Sequence, residues 1–234
     1  MAQDERVKTG IDGLDEMLNG GFPRTHTIVV MGSFGTGKTT FCLQFLNEGL
    51  KNGEKGIYIT LEEDERSIIE DAKSFGWDLK SAIDSKNLVV VKLEPTDAKT
   101  TISRIKSELP DFIKSFGAKR IVIDSISLLN MLFESEHEKR TNLFNLAQMI
   151  KKTGATCIMT AEVKDNNPLA SRDGLIEYTA DGVISLQYEE SPDKGEIRLT
   201  LRILKMRRIG HSRRVKPYSI TNRGIEVHAG AEVF

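Results

Sequence analysis

Short apolar runs alternate with amphipathic segments along most of this 234-residue chain. The runs are continuous, as expected of strands that are buried on both faces, and they cover residues 27–31, 56–61, 88–93, 120–124, 156–160 and 182–186. Segments with helical spacing lie between them, at 38–49, 102–116 and 140–152, with a kink or break predicted at Pro110. This alternation predicts a mostly parallel sheet that is covered by helices on both faces.

The last part of the chain has a different pattern. Residues 196–205, 216–221 and 224–227 are predicted to be successive strands, joined by short turns with no helices between them. We expect these strands to extend the sheet in an antiparallel arrangement. Because no repeat or low-complexity linker is evident, we predict one domain over 1–234, with a lead-in segment over 1–24 and a β extension over 195–234.

Composition excludes several classes of protein. The 33 Lys and Arg residues nearly balance 34 Asp and Glu residues, which argues against a protein devoted to nucleic acid or anionic lipid. No apolar run approaches the roughly 20 residues of a membrane span, and the polar N-terminus lacks a signal core. Cys42 and Cys157 are far apart in apolar surroundings and are predicted to be buried thiols. We therefore expect a cytoplasmic protein without a membrane partner.

A phosphate-binding motif follows the first apolar run. Gly32-Ser33-Phe34-Gly35-Thr36-Gly37-Lys38-Thr39 matches GxxxxGK[ST] and opens an amphipathic helix. Its glycines let backbone N–H groups point at phosphate oxygens, and the helix N-terminus adds a positive dipole. Lys38 is expected to reach the β- and γ-phosphates, and the Thr39 hydroxyl to ligate Mg²⁺. The predicted phosphate-binding residues are Ser33, Phe34, Gly35, Thr36, Gly37, Lys38, Thr39 and Thr40.

Acidic residues end three other apolar runs. Asp124 is expected to hold Mg²⁺ directly or through water. Glu62 and Glu63 follow the run 56–61, where one of them could deprotonate the attacking water while its neighbour raises its pKa. The pair could instead begin a helix, whose dipole favours acidic residues. The segment Thr160-Ala161-Glu162 could sense the γ-phosphate, or its carboxylate could be an ordinary surface or capping group.

A basic block near the C-terminus contrasts with the net charge of −1. Residues 202–216 hold seven Lys and Arg residues and no acid. The block could be a solvated strand face, contact nucleic acid, or present cations to nucleotide phosphates. Lys205 and Arg207 are two residues apart and would point to the same face of a strand. Such cations often act as fingers on a nucleotide that a neighbouring subunit binds.

Several segments together resemble a known family. They are residues 9–18, 20–23, 62–63, 74–79, 204–207 with His211, and 220–225. Over about residues 8–227 the chain is similar to a single KaiC-type ATPase domain of the RecA/RadA superfamily. The resemblance implies a RecA-type three-layer α/β/α fold with a mostly parallel central sheet and a C-terminal antiparallel extension. It also implies ATP and Mg²⁺ as ligands, and a homohexameric ring with ATP at the subunit interfaces.

The resemblance also implies roles for individual residues. Glu62 would be the catalytic base, with Glu63 as its partner. Nucleotide contacts would come from Ser74, from Thr221 and Asn222 near the base, and, across a subunit interface, from Lys205, Met206, Arg207 and His211. Arg208 and Ile209 depart from the family, which usually has Gly and a small hydroxyl residue there. Glu177 and Tyr178 align with a Ser-Thr pair that some relatives autophosphorylate, so autokinase activity is not expected.

Three functions are compatible with these residues. The first is a ring-forming ATPase that acts in regulation or signalling. The second is a recombinase-like ATPase that binds DNA through a loop over 164–174, which includes Asn166, Asn167, Pro168 and Arg172. The third is a nucleotide-gated scaffold with negligible turnover. A small-molecule kinase is disfavoured because no lid or acceptor-pocket pattern is evident.

Overall fold

A computed structural model describes residues 6–93, 103, 105, 107–164, 167–172, 174–190 and 197–231. The strands in this part of the chain are β1 Arg6–Val7, β2 Phe22–Pro23, β3 Thr27–Gly32, β4 Lys55–Thr60, β5 Leu88–Lys92, β6 Ala118–Asp124, β7 Thr156–Ala161, β8 Val163–Lys164, β9 Asn167–Ser171, β10 Gly182–Glu190, β11 Ile197–Met206, β12 Lys216–Thr221 and β13 Gly224–Val227. The helices are α1 Leu14–Met17, α2 Lys38–Lys51, α3 Glu65–Ser74, α4 Leu79–Asp84, α5 Leu109–Phe116, α6 Ile126–Asn130, α7 Glu136–Thr153 and α8 Ile176–Thr179.

A nine-stranded sheet forms the middle layer, in the order β13-β12-β11-β10-β3-β7-β6-β4-β5. The six strands from β10 to β5 are parallel, and β11, β12 and β13 continue the sheet in antiparallel pairs. All six predicted parallel strands are present. β10 extends beyond its predicted end because it pairs with β11 as far as Glu190. The predicted fold class is confirmed.

Helices cover both faces of the sheet, which explains why the central strands are continuous apolar runs. On one face α2 buries Phe41 and Phe45, and on the other α7 buries Leu143 and Ile150. Full burial of such a side chain contributes about 1.5–3 kcal/mol. Cys42 and Cys157 are buried and unpaired with each other, as predicted.

Capping residues set the helix ends that periodicity alone did not predict. α7 begins four residues before the predicted 140 because the Ser135 hydroxyl accepts a hydrogen bond from the Glu138 N–H at 3.1 Å. The break predicted at Pro110 is confirmed, since the helical conformation at 103, 105 and 107 is interrupted at Glu108 and α5 restarts at Leu109. Predicted ends at 102 and 196 lie outside the described residues.

The N-terminal segment packs against α2 and the β12–β13 hairpin. Gln44 on α2 donates to the carbonyl oxygens of Gly10 at 2.7 Å and Ile225 at 3.1 Å, and it accepts the Ile225 N–H at 2.7 Å. One buried amide therefore joins three distant parts of the chain behind the phosphate loop. Within the described residues, no helix has both the length and the apolar character that crossing a membrane requires.

Candidate functional site

A cleft of about 720 Å³ opens at the carboxyl ends of the parallel strands. Ligands of open α/β sheets bind at this edge. Its lining combines the predicted phosphate-binding and acidic residues with residues of the β8–β9 hairpin. They are Ser33, Phe34, Lys38, Thr39, Glu62, Asp124, Ser125, Glu162, Val163, Lys164, Asn167 and Arg172.

The phosphate loop has the backbone conformation that its motif predicts. Gly35 and Gly37 have φ of 71° and 83°, a region that side chains disfavour, and Gly37 is the N-cap of α2. The Lys38 ammonium donates to the carbonyl oxygens of Gly32 and Ser33, both at 2.9 Å. Burial lowers the pKa of Lys38, although nearby carboxylates oppose this. The lysine is therefore held over the loop, where phosphate oxygens could replace the two carbonyls.

Two tyrosines from the C-terminal strands brace the phosphate loop from outside. The Tyr188 hydroxyl donates to the Phe34 carbonyl at 2.8 Å, and the buried Tyr218 hydroxyl donates to the Thr36 carbonyl at 2.6 Å. Neither tyrosine was predicted from the sequence. No local signal could have found them, because each lies more than 150 positions along the chain from its partner.

Asp124 is the centre of a hydroxyl cluster at the end of β6. Thr39 donates to its Oδ2 at 2.9 Å, Tyr58 donates to the same oxygen at 2.7 Å, and Thr160 donates to Oδ1. A carboxylate and a threonine hydroxyl in contact are oxygen ligands of the kind that Mg²⁺ prefers. Thr39 and Asp124 therefore fit the predicted metal site. Tyr58 was not predicted to belong to this site. Thr160 belongs to it through its hydrogen bond to Asp124.

Glu62 and Glu63 lie together in the loop between β4 and α3. Both backbone N–H groups donate to the Thr60 hydroxyl, at 3.2 and 3.0 Å. The pair does not begin the helix, because Asp64 is the N-cap of α3 and accepts the Ser67 N–H. The two acids therefore precede the helix rather than form its first turn.

The two carboxylates have different surroundings. Glu62 lines the cleft; burial raises its pKa, the charges of Asp124 and Glu162 raise it further, and Lys38 lowers it. Glu63 does not line the cleft, and its Oε2 is buried without a hydrogen-bond partner among the described residues. Burial also raises the pKa of Glu63, with nearby acids adding to the shift. Geometry thus favours Glu62 as the residue that faces a substrate.

The segment predicted as a DNA-binding loop forms the β8–β9 hairpin at the rim of this cleft. Arg172 donates its backbone N–H to the Glu162 carbonyl at 2.7 Å and its guanidinium to the Glu162 carboxylate at 2.8 Å. Lys164, Asn167 and Arg172 line the cleft. Asn166 lies outside the described residues. DNA binding by this segment stays a prediction.

Lys205 and Arg207 lie at the opposite end of the sheet from the phosphate loop of the same chain. Lys205 pairs with Val183 of β10, and Val183 pairs with Val29 in the first half of β3. The phosphate loop follows the other end of β3, its carboxyl end. The Lys205 ammonium donates to the Glu177 and Ala180 carbonyls, at 3.0 and 2.6 Å. The Arg207 guanidinium is 3.6 Å from the Asp181 carboxylate. Neither residue lines the cleft of its own chain.

Two further predicted contacts accompany these cations. Met206 is buried within its own chain, so its predicted contact with a neighbour's nucleotide stays a prediction. His211 is half-buried, with Nδ1 3.0 Å from the Ser212 carbonyl oxygen. The adjoining Gly210 carbonyl accepts a hydrogen bond from Asn19 at 2.9 Å. The segment that follows β11 is therefore attached to the N-terminal part of the chain.

The other predicted nucleotide-contacting residues, Ser74, Thr221 and Asn222, do not line the cleft. The Ser74 hydroxyl donates to the Asp71 carbonyl at 2.7 Å and is exposed. Thr221 and Asn222 belong to the same hairpin as Gly224. The Trp77 ring lies so close to Gly224 that a Cβ added there would be 2.7 Å from it. The end of α3 and this hairpin turn are therefore neighbours beside α2. Their roles toward a nucleotide stay predictions.

Comparison with known proteins gives one consistent result. A family model described as "ATPase: KaiC" matches residues 7–232. The circadian clock oscillator proteins KaiC of Prochlorococcus marinus and Synechococcus elongatus are 35% and 33% identical to the chain, over 97% and 95% of it. These matches cover 46% and 44% of the two relatives, so the chain spans about half of their length.

A solved structure agrees with the sequence comparison. The crystal structure of a KaiC-like protein from the hyperthermophilic archaeon Pyrococcus horikoshii matches with a TM-score of 0.85 and 35% identity, covering 97% of this chain and 100% of that one. Both share the α/β architecture on which the phosphate loop and Asp124 are built. From the family match, these relatives and the fold, the chain belongs to the KaiC family of ATPases, which is consistent with the RecA/RadA superfamily.

Proposed function

We propose that the chain binds ATP with Mg²⁺ in the cleft, hydrolyses it, and works in regulation or signalling as a ring of identical subunits. The observation that carries the proposal is the convergence of Lys38, Thr39, Glu62 and Asp124 on one cleft at the carboxyl end of a parallel sheet. Membership of an ATPase family supports the same conclusion.

Binding would use groups that the chain already directs toward the loop. Lys38 would exchange its bonds to two loop carbonyls for bonds to phosphate oxygens. Thr39 and Asp124 would hold Mg²⁺, which when bound neutralises charge on the phosphates. Tyr58 and Thr160 orient the Asp124 carboxylate through their hydroxyl groups.

Hydrolysis would begin with a water molecule next to Glu62. The water oxygen bonds to the γ-phosphorus, and the bond from that phosphorus to the β–γ bridging oxygen breaks, with its electron pair leaving on ADP. Glu62 accepts the proton that the water loses, and the products are ADP and inorganic phosphate. A base is more effective when its pKa lies nearer the working pH, so the raised pKa of Glu62 suits this role.

Assembly would complete the site. Because Lys205 and Arg207 lie at the end of the sheet opposite the cleft, a head-to-tail contact between two copies would bring these cations of one copy to the nucleotide of the next. A cation supplied in this way stabilises charge in the transition state and can raise kcat by about 10³-fold or more. We propose a homohexamer as the closed form of this arrangement.

Substitution of the proposed base tests the reaction. Glu62→Gln should lower kcat for ATP hydrolysis by about 10²-fold or more, because general-base catalysis contributes about 10²–10⁴-fold. ATP binding should persist, since the phosphate loop is untouched. Glu65→Gln is the matched control, because this exposed residue lies nearby on α3 and does not line the cleft. A Glu62→Gln variant as active as the control would contradict the proposal.

Measurement of oligomer mass alongside turnover separates an ATPase from a nucleotide-gated scaffold. A working ATPase should release phosphate continuously in the presence of ATP and Mg²⁺, and its assembled form should carry the activity. A chain that assembles with ATP but shows no turnover above the Glu62→Gln variant would instead be a scaffold.

A further inference from the structure

The short helix α8 lies between the rim of the cleft and Lys205. Its Glu177 side chain is half-buried and accepts two hydrogen bonds from Ser171 of β9. The Ser171 backbone N–H donates to Oε1, and the Ser171 hydroxyl donates to Oε2 at 2.8 Å. Hydrogen bonds to a carboxylate are roughly twice as strong as neutral ones, and a two-point contact fixes orientation as well.

The backbone of the same helix holds the Lys205 ammonium. The carbonyl oxygens of Glu177 and Ala180 accept hydrogen bonds from Lys205 at 3.0 and 2.6 Å. These two bonds fix the direction of a long side chain that otherwise has many rotamers. Displacement of α8 would therefore change where Lys205 points.

The other end of this connection reaches the cleft of the same chain. Ser171 is buried and pairs with Val163 within the β8–β9 hairpin. Lys164, Asn167 and Arg172 of this hairpin line the cleft. A nucleotide in the cleft would lie against this hairpin, and Ser171 joins the hairpin to the Glu177 carboxylate.

We propose that Glu177 is a positioning residue that couples the hairpin at a chain's own cleft to Lys205, which acts on the nucleotide of the next subunit. This inference rests on the proposed function, because it needs Lys205 to act on a neighbour. The consequence is that occupancy of one site adjusts the cation at the following site. The position of Glu177 between two contacts, rather than in the cleft, makes its effect indirect.

Steady-state ATP hydrolysis by the full chain tests this role. Glu177→Ala should lower kcat by about 10–100-fold, because a misplacement of about 1 Å in a catalytic group can cost about 10²-fold. KM for ATP should change by less than about threefold, since Glu177 does not line the cleft. Glu177→Gln should restore most of the rate, because its amide can accept the Ser171 N–H and donate to the hydroxyl oxygen.

Thr179→Ala is the matched control within α8. The Thr179 hydroxyl donates to the Ile176 carbonyl of the same helix at 3.0 Å, and among the described residues it makes no hydrogen bond to the hairpin or to Lys205. It should keep kcat within about twofold of the unmodified chain. A kcat for Glu177→Ala equal to that of this control overturns the proposal, as does a Glu177→Gln variant as slow as Glu177→Ala while thermal melting shows it folded.

A double-mutant cycle with Lys205→Ala separates this inference from the proposed function. If Glu177 acts through Lys205, the double variant should be no slower than Lys205→Ala alone. Additive losses would overturn the coupling and leave the neighbouring-subunit role of Lys205 intact. An unchanged kcat in Lys205→Ala would overturn the proposed role of Lys205, and the coupling with it.

Discussion

Glu62 and Glu63 are adjacent in the chain, but their carboxylates meet different surroundings. Glu62 lines a cleft in which Asp124, Glu162 and Lys38 act on its pKa. Glu63 points an oxygen into a buried position without a donor among the described residues. A buried carboxylate without a donor is destabilised as an anion, and its neutral form is favoured. Of the two neighbouring acids, only Glu62 therefore faces the cleft.

The raised pKa of Glu63 predicts a pH-dependent effect of Glu63→Gln on stability. A pKa above the usual 4.5 in the folded chain means that folding favours the protonated form. The unmodified chain therefore loses stability as pH rises from about 4.5 through the raised pKa, whereas the amide does not titrate. The free energy of unfolding of Glu63→Gln, relative to the unmodified chain, should increase from about pH 4 to about pH 8.

Urea denaturation at the two pH values measures this difference. Far-UV circular dichroism follows the fold, and the same variant can be assayed for ATP hydrolysis. If Glu63→Gln loses stability relative to the unmodified chain as pH rises, then Oε2 of Glu63 has a donor. The pKa of Glu63 is in that case not raised by burial.

Single residues of the site were predictable where the chemistry is contiguous in sequence. The phosphate loop is one uninterrupted motif, and Asp124 ends an apolar run. Tyr58 could not be predicted, because it reaches Asp124 from a different strand. Likewise, only the fold around the Thr60 hydroxyl decides which of the two glutamates faces the cleft.

At the scale of elements, burial on both faces is what made the parallel strands predictable. β3 is buried at all six positions, so its sequence is a continuous apolar run. The β8–β9 hairpin and α8 escaped prediction because they are short and mostly exposed or half-buried, so no apolar run marks them in the sequence. These short elements carry the hydrogen bonds among Ser171, Glu177 and Lys205 on which the proposed coupling rests.

The β12 strand stabilises the phosphate loop, and Tyr218→Phe tests this contact. Burial raises the pKa of Tyr218, so the hydroxyl stays protonated and donates to the Thr36 carbonyl at 2.6 Å. Loss of the donor leaves this buried carbonyl unpaired, which should lower the free energy of unfolding by about 1–3 kcal/mol.

Tyr188→Phe is the comparison for that experiment. Its hydroxyl makes the equivalent bond to the Phe34 carbonyl, but at an exposed position where water can replace it. The change in the free energy of unfolding should therefore stay within about 0.5 kcal/mol. Equal losses in the two variants, measured by urea denaturation, would show that burial of the Tyr218 contact has no special effect.

At the scale of the whole molecule, a net charge of −1 does not exclude local concentrations of charge. Glu62 and Glu63 follow the carboxyl end of β4, whereas Lys205 and Arg207 lie near the opposite end, beside the start of β10. Opposite charges at the two ends favour head-to-tail contact between copies. A head-to-tail contact that closes on itself gives a ring.

Mixed oligomers provide the sharpest test of this arrangement. Lys205→Ala chains keep an intact cleft, and Glu62→Gln chains keep an intact cation, although each variant alone should be nearly inactive. When dissociated chains are mixed in equal amounts and reassembled with ATP, roughly a quarter of head-to-tail contacts should combine an intact cleft with an intact cation. ATP hydrolysis should therefore rise toward about a quarter of the rate of the unmodified chain.

The control replaces one partner by the Glu62→Gln/Lys205→Ala double variant, which can supply neither part. Mixtures that contain it should show no gain, because no contact then joins an intact cleft to an intact cation. If mass measurement shows that mixed oligomers form and the Lys205→Ala and Glu62→Gln mixture still gains nothing, Lys205 does not act across the interface. A gain in ATP hydrolysis requires that Lys205 of one copy completes the site that contains Glu62 of another, since neither variant carries both residues.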